Sequence, residues 1–279
     1  MEFPGLEKNL STIIKQVIGP AYSMYNVFGD VKAGKTLLAV ETWKLAKDKG
    51  YRVLIVDAEQ ERDGISAYHQ EPYNLPANTV ARCSNWDEWS QLLVYIKKSD
   101  PKEWDKTIIF IDPFSQIMQM KLNKLAEDNG GDDFLKRTKK ISNKTEREIN
   151  AYTEYTESMI SMIQILKSKF EFVVLNSHYN YEKVGSNDSS ILRMQLDYFG
   201  KGRGIITQKS DANIYLGKDS NGKYYVNKLP LGKAVLGLEF GTTHNPSLKA
   251  VDDVFQLAEH IVETVENQHP YYEELYKTK

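Results

Sequence analysis

Gly29-Asp30-Val31-Lys32-Ala33-Gly34-Lys35-Thr36 is the stretch on which the reading of the fold turns. It satisfies G-x-x-x-x-G-K-[ST] at every fixed position. A short apolar run, Met24-Tyr25-Asn26-Val27-Phe28, leads into it, and a segment of helical period from Lys35 to about Lys49 leaves it. The two glycines let the backbone turn its N–H groups onto a phosphate, and the following helix points its positive end at the same place. In such a loop the lysine, Lys35, reaches the β- and γ-phosphates and the Thr36 hydroxyl binds Mg²⁺. The stretch therefore predicts ATP and Mg²⁺ as cofactors, with Gly29, Asp30, Val31, Lys32, Ala33, Gly34, Lys35 and Thr36 around the phosphates.

Outward from the loop, apolar β-rich runs alternate with helical segments, which predicts an α/β fold with a central, mostly parallel sheet flanked by helices. In the helix after the loop, Leu38, Trp43 and Ala46 face inward and Gly50 closes it. Tyr51–Asp57 and Thr107–Asp112 read as strands that end in an acid, and Phe172–Leu175 and Ala212–Leu216 as further strands. Trp86, Trp89, Leu92, Leu93 and Ile96 recur at helical spacing; so do Ile149, Tyr152, Tyr155, Met159, Met162, Ile163 and Leu166. Asp219-Ser220-Asn221-Gly222-Lys223 predicts a C-terminal β-hairpin whose Asn-Gly pair takes two positive φ angles. Lys121–Lys144 and Tyr179–Lys209 read as long irregular loops, which in a compact domain are usually functional. The expected organisation is one domain over 1–279, with a helical lead-in at 1–24, a core at 25–241 and a helical tail at 242–279.

Composition narrows the class. A single cysteine, Cys83, excludes an internal disulfide and a multi-thiolate metal site. No run approaches the roughly 18 apolar residues of a membrane span, and the first residues lack the pattern of a signal peptide. A cytoplasmic protein without membrane contact is expected. With 36 basic and 38 acidic residues the net charge is −2, so any contact with nucleic acid must be local.

Two acids complete the expected site. Asp112 ends an apolar strand, where its carboxylate stands beside Mg²⁺. Glu59, in Asp57-Ala58-Glu59, follows the second strand at the same sheet edge and is placed to orient the attacking water, with Glu61 as a rival.

These segments resemble the RecA/DnaB superfamily of P-loop ATPases. Val56-Asp57-Ala58-Glu59 is similar to the family's catalytic-glutamate segment, and Ile111-Asp112 to its Mg-associated acid. Leu175-Asn176-Ser177-His178 is similar to the strand end that senses the γ-phosphate, which implies His178, with Asn176 as the alternative. Gly202–Ala212 resembles a glycine-then-Q-x-x-D-A stretch of hexameric helicases. Val226–Lys233 resembles the K-x-R-x-G stretch that reaches a neighbouring subunit's ATP. There Pro230 stands in the arginine-finger place, so Lys228 or Lys233 would act in trans. The likeness covers about 20–241 and, as a bare core, looks most like a short phage-type recombination ATPase.

The family's DNA loops follow the Mg-associated and sensor strands. In the first region Lys136, Arg137, Lys139, Lys140 and Lys144 lie within nine residues with no acid among them, a pattern able to neutralise phosphates. In the second, Tyr179, Tyr181, Lys183, Arg193, Lys201 and Arg203 mix aromatics with cations, which suits stacking on unpaired bases. The resemblance thus implies an ATPase stimulated by single-stranded DNA, acting in recombination, annealing or replication as a homo-oligomeric ring or filament. A DnaB-like hexameric helicase, a packaging or transport motor, and a nucleotide-switched interaction ATPase that never engages DNA stand as alternatives.

Overall fold

Runs that are apolar on both faces can be buried only in a sheet covered on both sides, and three such runs form the centre of the molecule. They are Arg52–Asp57 (β2), Thr107–Asp112 (β4) and Phe172–Ser177 (β5). The computed structural model describes residues 23–59, 66–129, 146–184, 191–226, 234–235 and 251–277. With Ser23–Gly29 (β1), Val80–Arg82 (β3), Ala212–Lys218 (β8) and Tyr224–Val226 (β9), these strands make a seven-stranded sheet ordered β3-β2-β4-β5-β1-β8-β9. Every pairing is parallel except β8 with β9, which form an antiparallel hairpin. The mostly parallel sheet and the hairpin are as the sequence predicts.

Two apolar layers cover it. Lys35–Asp48 (α1) and Val254–Lys277 (α6) lie on one face; in α6, Val254, Leu257, Ala258, Ile261, Val262 and Val265 form the buried stripe. Trp86–Lys98 (α2), Phe114–Asp128 (α3) and Glu146–Lys169 (α4) cover the other, around Trp89, Ile117, Met159 and Leu166. Asn85 caps α2 by accepting from the Glu88 N–H at 2.9 Å, while Glu88 accepts from the Ser84 N–H at 2.7 Å. No described helix is long and apolar enough to cross a membrane.

Several expectations are corrected. Residues 121–128 of the first supposed loop are helical, the end of α3; residues 130–145 lie outside the described part. The second is mostly regular. Tyr179–Val184 (β6) and Ile191–Leu196 (β7) pair antiparallel, Ala234–Val235 (β10) pairs with β7, and Gly202–Lys209 (α5) is a helix. At the β8–β9 turn only Gly222 has positive φ, at 83°. The Asp219 carboxylate accepts from the N–H groups of Asn221 and Lys223 at 2.9 and 2.8 Å, and this longer loop spares Asn221 the left-handed region. Of the supposed N-terminal helix, Ser23 and Met24 belong to β1 and the rest lies outside the described residues.

The register sets up the site. Asp57 pairs with Asp112 across β2 and β4, and Ile111 pairs with Leu175 across β4 and β5. Asn176 therefore follows beside Asp112. By the two-residue alternation, Asp57, Asp112 and Asn176 share the face of Ile55, Phe110 and Val174, the one covered by α1.

Candidate phosphate-binding site

The loop after β1 is specified by its two glycines for different reasons. A Cβ on Gly29 would lie 2.1 Å from the Leu216 carbonyl oxygen of β8, so only glycine lets those backbones meet. Gly34 has φ 97° and lies under the Tyr224 ring, where a Cβ would be 3.0 Å from its atoms. α1 then begins at Lys35 with no side-chain cap on its first turn, leaving N–H groups and the positive helix end directed at the loop.

A cavity of about 780 Å³ opens over this loop. It is bordered by the whole of Gly29–Thr36, and also by Glu59, Asp112 and His178. The structure thus brings these sequence-predicted residues together at the carboxyl ends of β1, β2, β4 and β5. The Lys35 ammonium is folded back, donating to the Gly29 and Asp30 carbonyl oxygens at 2.8 and 3.0 Å. Burial lowers its pKa below the ordinary lysine value, opposed by the nearby carboxylates of Asp112, Asp30 and Glu59. Glu59 is exposed, and its N–H donates to Asp57 Oδ1 at 3.0 Å. The His178 backbone is pinned from two sides: its N–H donates to Ser115 Oγ and its carbonyl accepts from the Asp197 N–H, both at 2.9 Å.

Comparison with known proteins adds little to this geometry. No family model matches the chain, and no curated protein does. Among solved structures, a KaiC-like protein from the hyperthermophilic archaeon Pyrococcus horikoshii OT3 is 16% identical, over 79% of this chain and 82% of that one, with a TM-score of 0.41.

Sequence reasoning missed three tyrosine contacts. Tyr68 is buried and donates to Asp112 Oδ2. Tyr179 donates to Asp30 Oδ1, and Tyr215 to Asp30 Oδ2 at 2.9 Å. Burial, then the Asp30 carboxylate, push both of the latter phenols up, which keeps them protonated donors. The x positions of the loop motif carry no residue rule, so nothing in the sequence points to a restrained Asp30.

Hard oxygen donors such as the Thr36 hydroxyl and the Asp112 carboxylate suit a hydrated Mg²⁺. Asn176, beside Asp112, is fully buried with both amide atoms unpartnered. Leaving such an amide unsatisfied costs about 1–3 kcal/mol.

The other predicted residues are dispersed. Tyr181 borders the cavity, with its ring edge-on to Tyr179 at 5.3 Å. Lys183 and Arg193 stand on β6 and β7, opposite Leu192 and Glu182. Lys201 is exposed, and Arg203 Nε donates to the Tyr198 carbonyl at 3.2 Å. Lys136, Arg137, Lys139, Lys140, Lys144, Lys228 and Lys233 lie outside the described residues.

Proposed function

We propose that this chain is a RecA-like P-loop ATPase that binds Mg-ATP on Gly29–Thr36 and hydrolyses it to ADP and phosphate. One observation carries the reading: Lys35, Thr36, Glu59, Asp112 and His178, from four separated stretches of chain, border one cavity. Lys35 exchanges the Gly29 and Asp30 carbonyls for phosphate oxygens. Thr36 and Asp112 hold Mg²⁺, which when bound neutralises charge on the phosphates. Glu59 orients a water and accepts its proton as the water oxygen bonds to the γ-phosphorus and the bond to the bridging oxygen breaks. His178 hydrogen-bonds the γ-phosphate, and its loss is passed to β6, which begins at the next residue.

The output we favour is a nucleotide-switched interaction, in a homo-oligomer where Lys228 or Lys233 reaches the neighbour's ATP. The net charge of −2 supports it. So does Arg203, whose Nε is engaged by the Tyr198 backbone carbonyl. The cluster of five cations at 136–144 favours a second reading, in which single-stranded DNA is the partner.

ATP turnover measured across protein concentration, with and without single-stranded DNA at two salt concentrations, tests both. Turnover that rises with protein concentration and ignores DNA supports the first reading. Salt-sensitive stimulation by DNA, lost when Lys136–Lys140 are neutralised, selects the second. Absence of nucleotide binding and turnover in all conditions rejects the ATPase reading itself.

A further inference from the structure

Tyr68 stands on a short 3₁₀ turn, Ala67–His69, that no sequence motif marks. The turn is fixed locally. Ser66 Oγ accepts from the Tyr68 N–H at 3.3 Å, and the Tyr68 carbonyl accepts from the Leu75 N–H at 2.8 Å. The side chain is 2% exposed and lies in the apolar layer beneath α1. Its hydroxyl donates to Asp112 Oδ2, one of the two side chains assigned to the cation.

The direction of this bond follows from counting protons. A phenol has one proton and a carboxylate can only accept. The Tyr68 proton is therefore committed to Asp112. With Oδ2 held, Asp112 keeps one orientation and Oδ1 remains to accept.

We propose that Tyr68 is a positioning residue of the cation site, its buried phenol setting the orientation of the Asp112 carboxylate. This rests on the Mg-ATP reading above. Partners of this kind orient the groups that touch a metal, and losing one typically costs about 10–100-fold in metal affinity. The cost falls on the cation and leaves the nucleotide's own contacts with the loop intact.

The test uses the full chain with Tyr68→Phe, and with Tyr68→Met as a second variant in case the first folds poorly. Affinity for a fluorescent ATP analogue is titrated once in EDTA and once across a Mg²⁺ series. Both variants are expected to match the wild type in EDTA, and to need about 10–100-fold more Mg²⁺ for the half-maximal gain in affinity. A wild-type Mg²⁺ midpoint in the variants overturns the proposal. A lower midpoint also overturns it, making the phenol a plug, and so does an equal loss with and without Mg²⁺. If the wild type binds no analogue under either condition, the Mg-ATP reading falls first and this proposal with it.

Discussion

Lys35 Nζ donates to the Gly29 carbonyl oxygen at 2.8 Å, so the cation expected to meet a phosphate is bonded to the first residue of its own loop. A second bond to the Asp30 carbonyl at 3.0 Å completes a closed ring of backbone and ammonium. A phosphate that displaces these neutral acceptors offers charged ones to an ammonium that is already a charged donor.

Lys35→Ala removes that exchange. The expected result is a loss of nucleotide affinity of about 10–100-fold, the scale of hydrogen bonds to charged groups, read by analogue titration. Circular dichroism should be unchanged. Wild-type affinity in the variant would reject Lys35 as a phosphate ligand.

Glu59 sits two residues beyond Asp57, whose Oδ1 accepts the Glu59 N–H at 3.0 Å. That bond fixes the turn but leaves the Glu59 side chain at the cavity border. Glu59→Gln keeps the shape and removes the base. Hydrolysis in a single-turnover assay should slow about 10²-fold or more, with nucleotide affinity retained. Unchanged hydrolysis would pass the role to another group.

What was legible in the sequence is what a local pattern can carry. β4 runs through four apolar residues, Ile108 to Ile111, directly before Asp112, and the loop glycines answer to a strict spacing, so strand, loop and cavity border could be read directly. The β6–β7 hairpin could not. In Tyr179-Asn180-Tyr181-Glu182-Lys183-Val184 the adjacent Glu182 and Lys183 break the alternation of a strand, and its partner lies beyond a Gly-Ser-Asn-Asp stretch that reads as loop. α5 begins Gly-Arg-Gly, an unfavourable start that tertiary contacts override. Tyr68 and Tyr215 lie 44 and 185 residues from the acids they hold, a distance over which no pattern in one sequence speaks.

Two glycines should respond oppositely to alanine. At Gly29 a Cβ would meet the Leu216 carbonyl at 2.1 Å, and backbone in a paired strand cannot yield cheaply. Gly29→Ala should destabilise by about 1–3 kcal/mol, as overpacking does. Gly204 lies within α5 with nothing within 4 Å of its Cβ position and no positive φ. Gly204→Ala should stabilise by about 0.5–1 kcal/mol. Denaturant midpoints of the two variants check this, and an unperturbed Gly29→Ala would reject the β1–β8 register.

His260 supplies the pH dependence. Its Nε2 is hydrogen-bonded with Tyr25 Oη at 2.9 Å, and the side chain is buried between α6 and β1. Burial lowers its pKa from 6.5, and Glu263 opposes the shift. As pH falls below 6.5, the unfolded chain takes up a proton that the folded one does not, so stability declines with pH until the lowered folded value is reached. Above pH 6.5 this contribution is fully present. His260→Gln keeps an amide for Tyr25 and cannot titrate. The expected outcome is a fall in the wild-type urea midpoint between pH 7.5 and pH 5 that shrinks in the variant. An equal fall in both proteins would assign the acid sensitivity to other groups, and would mean that the histidine charges in place without strain on the α6–β1 contact.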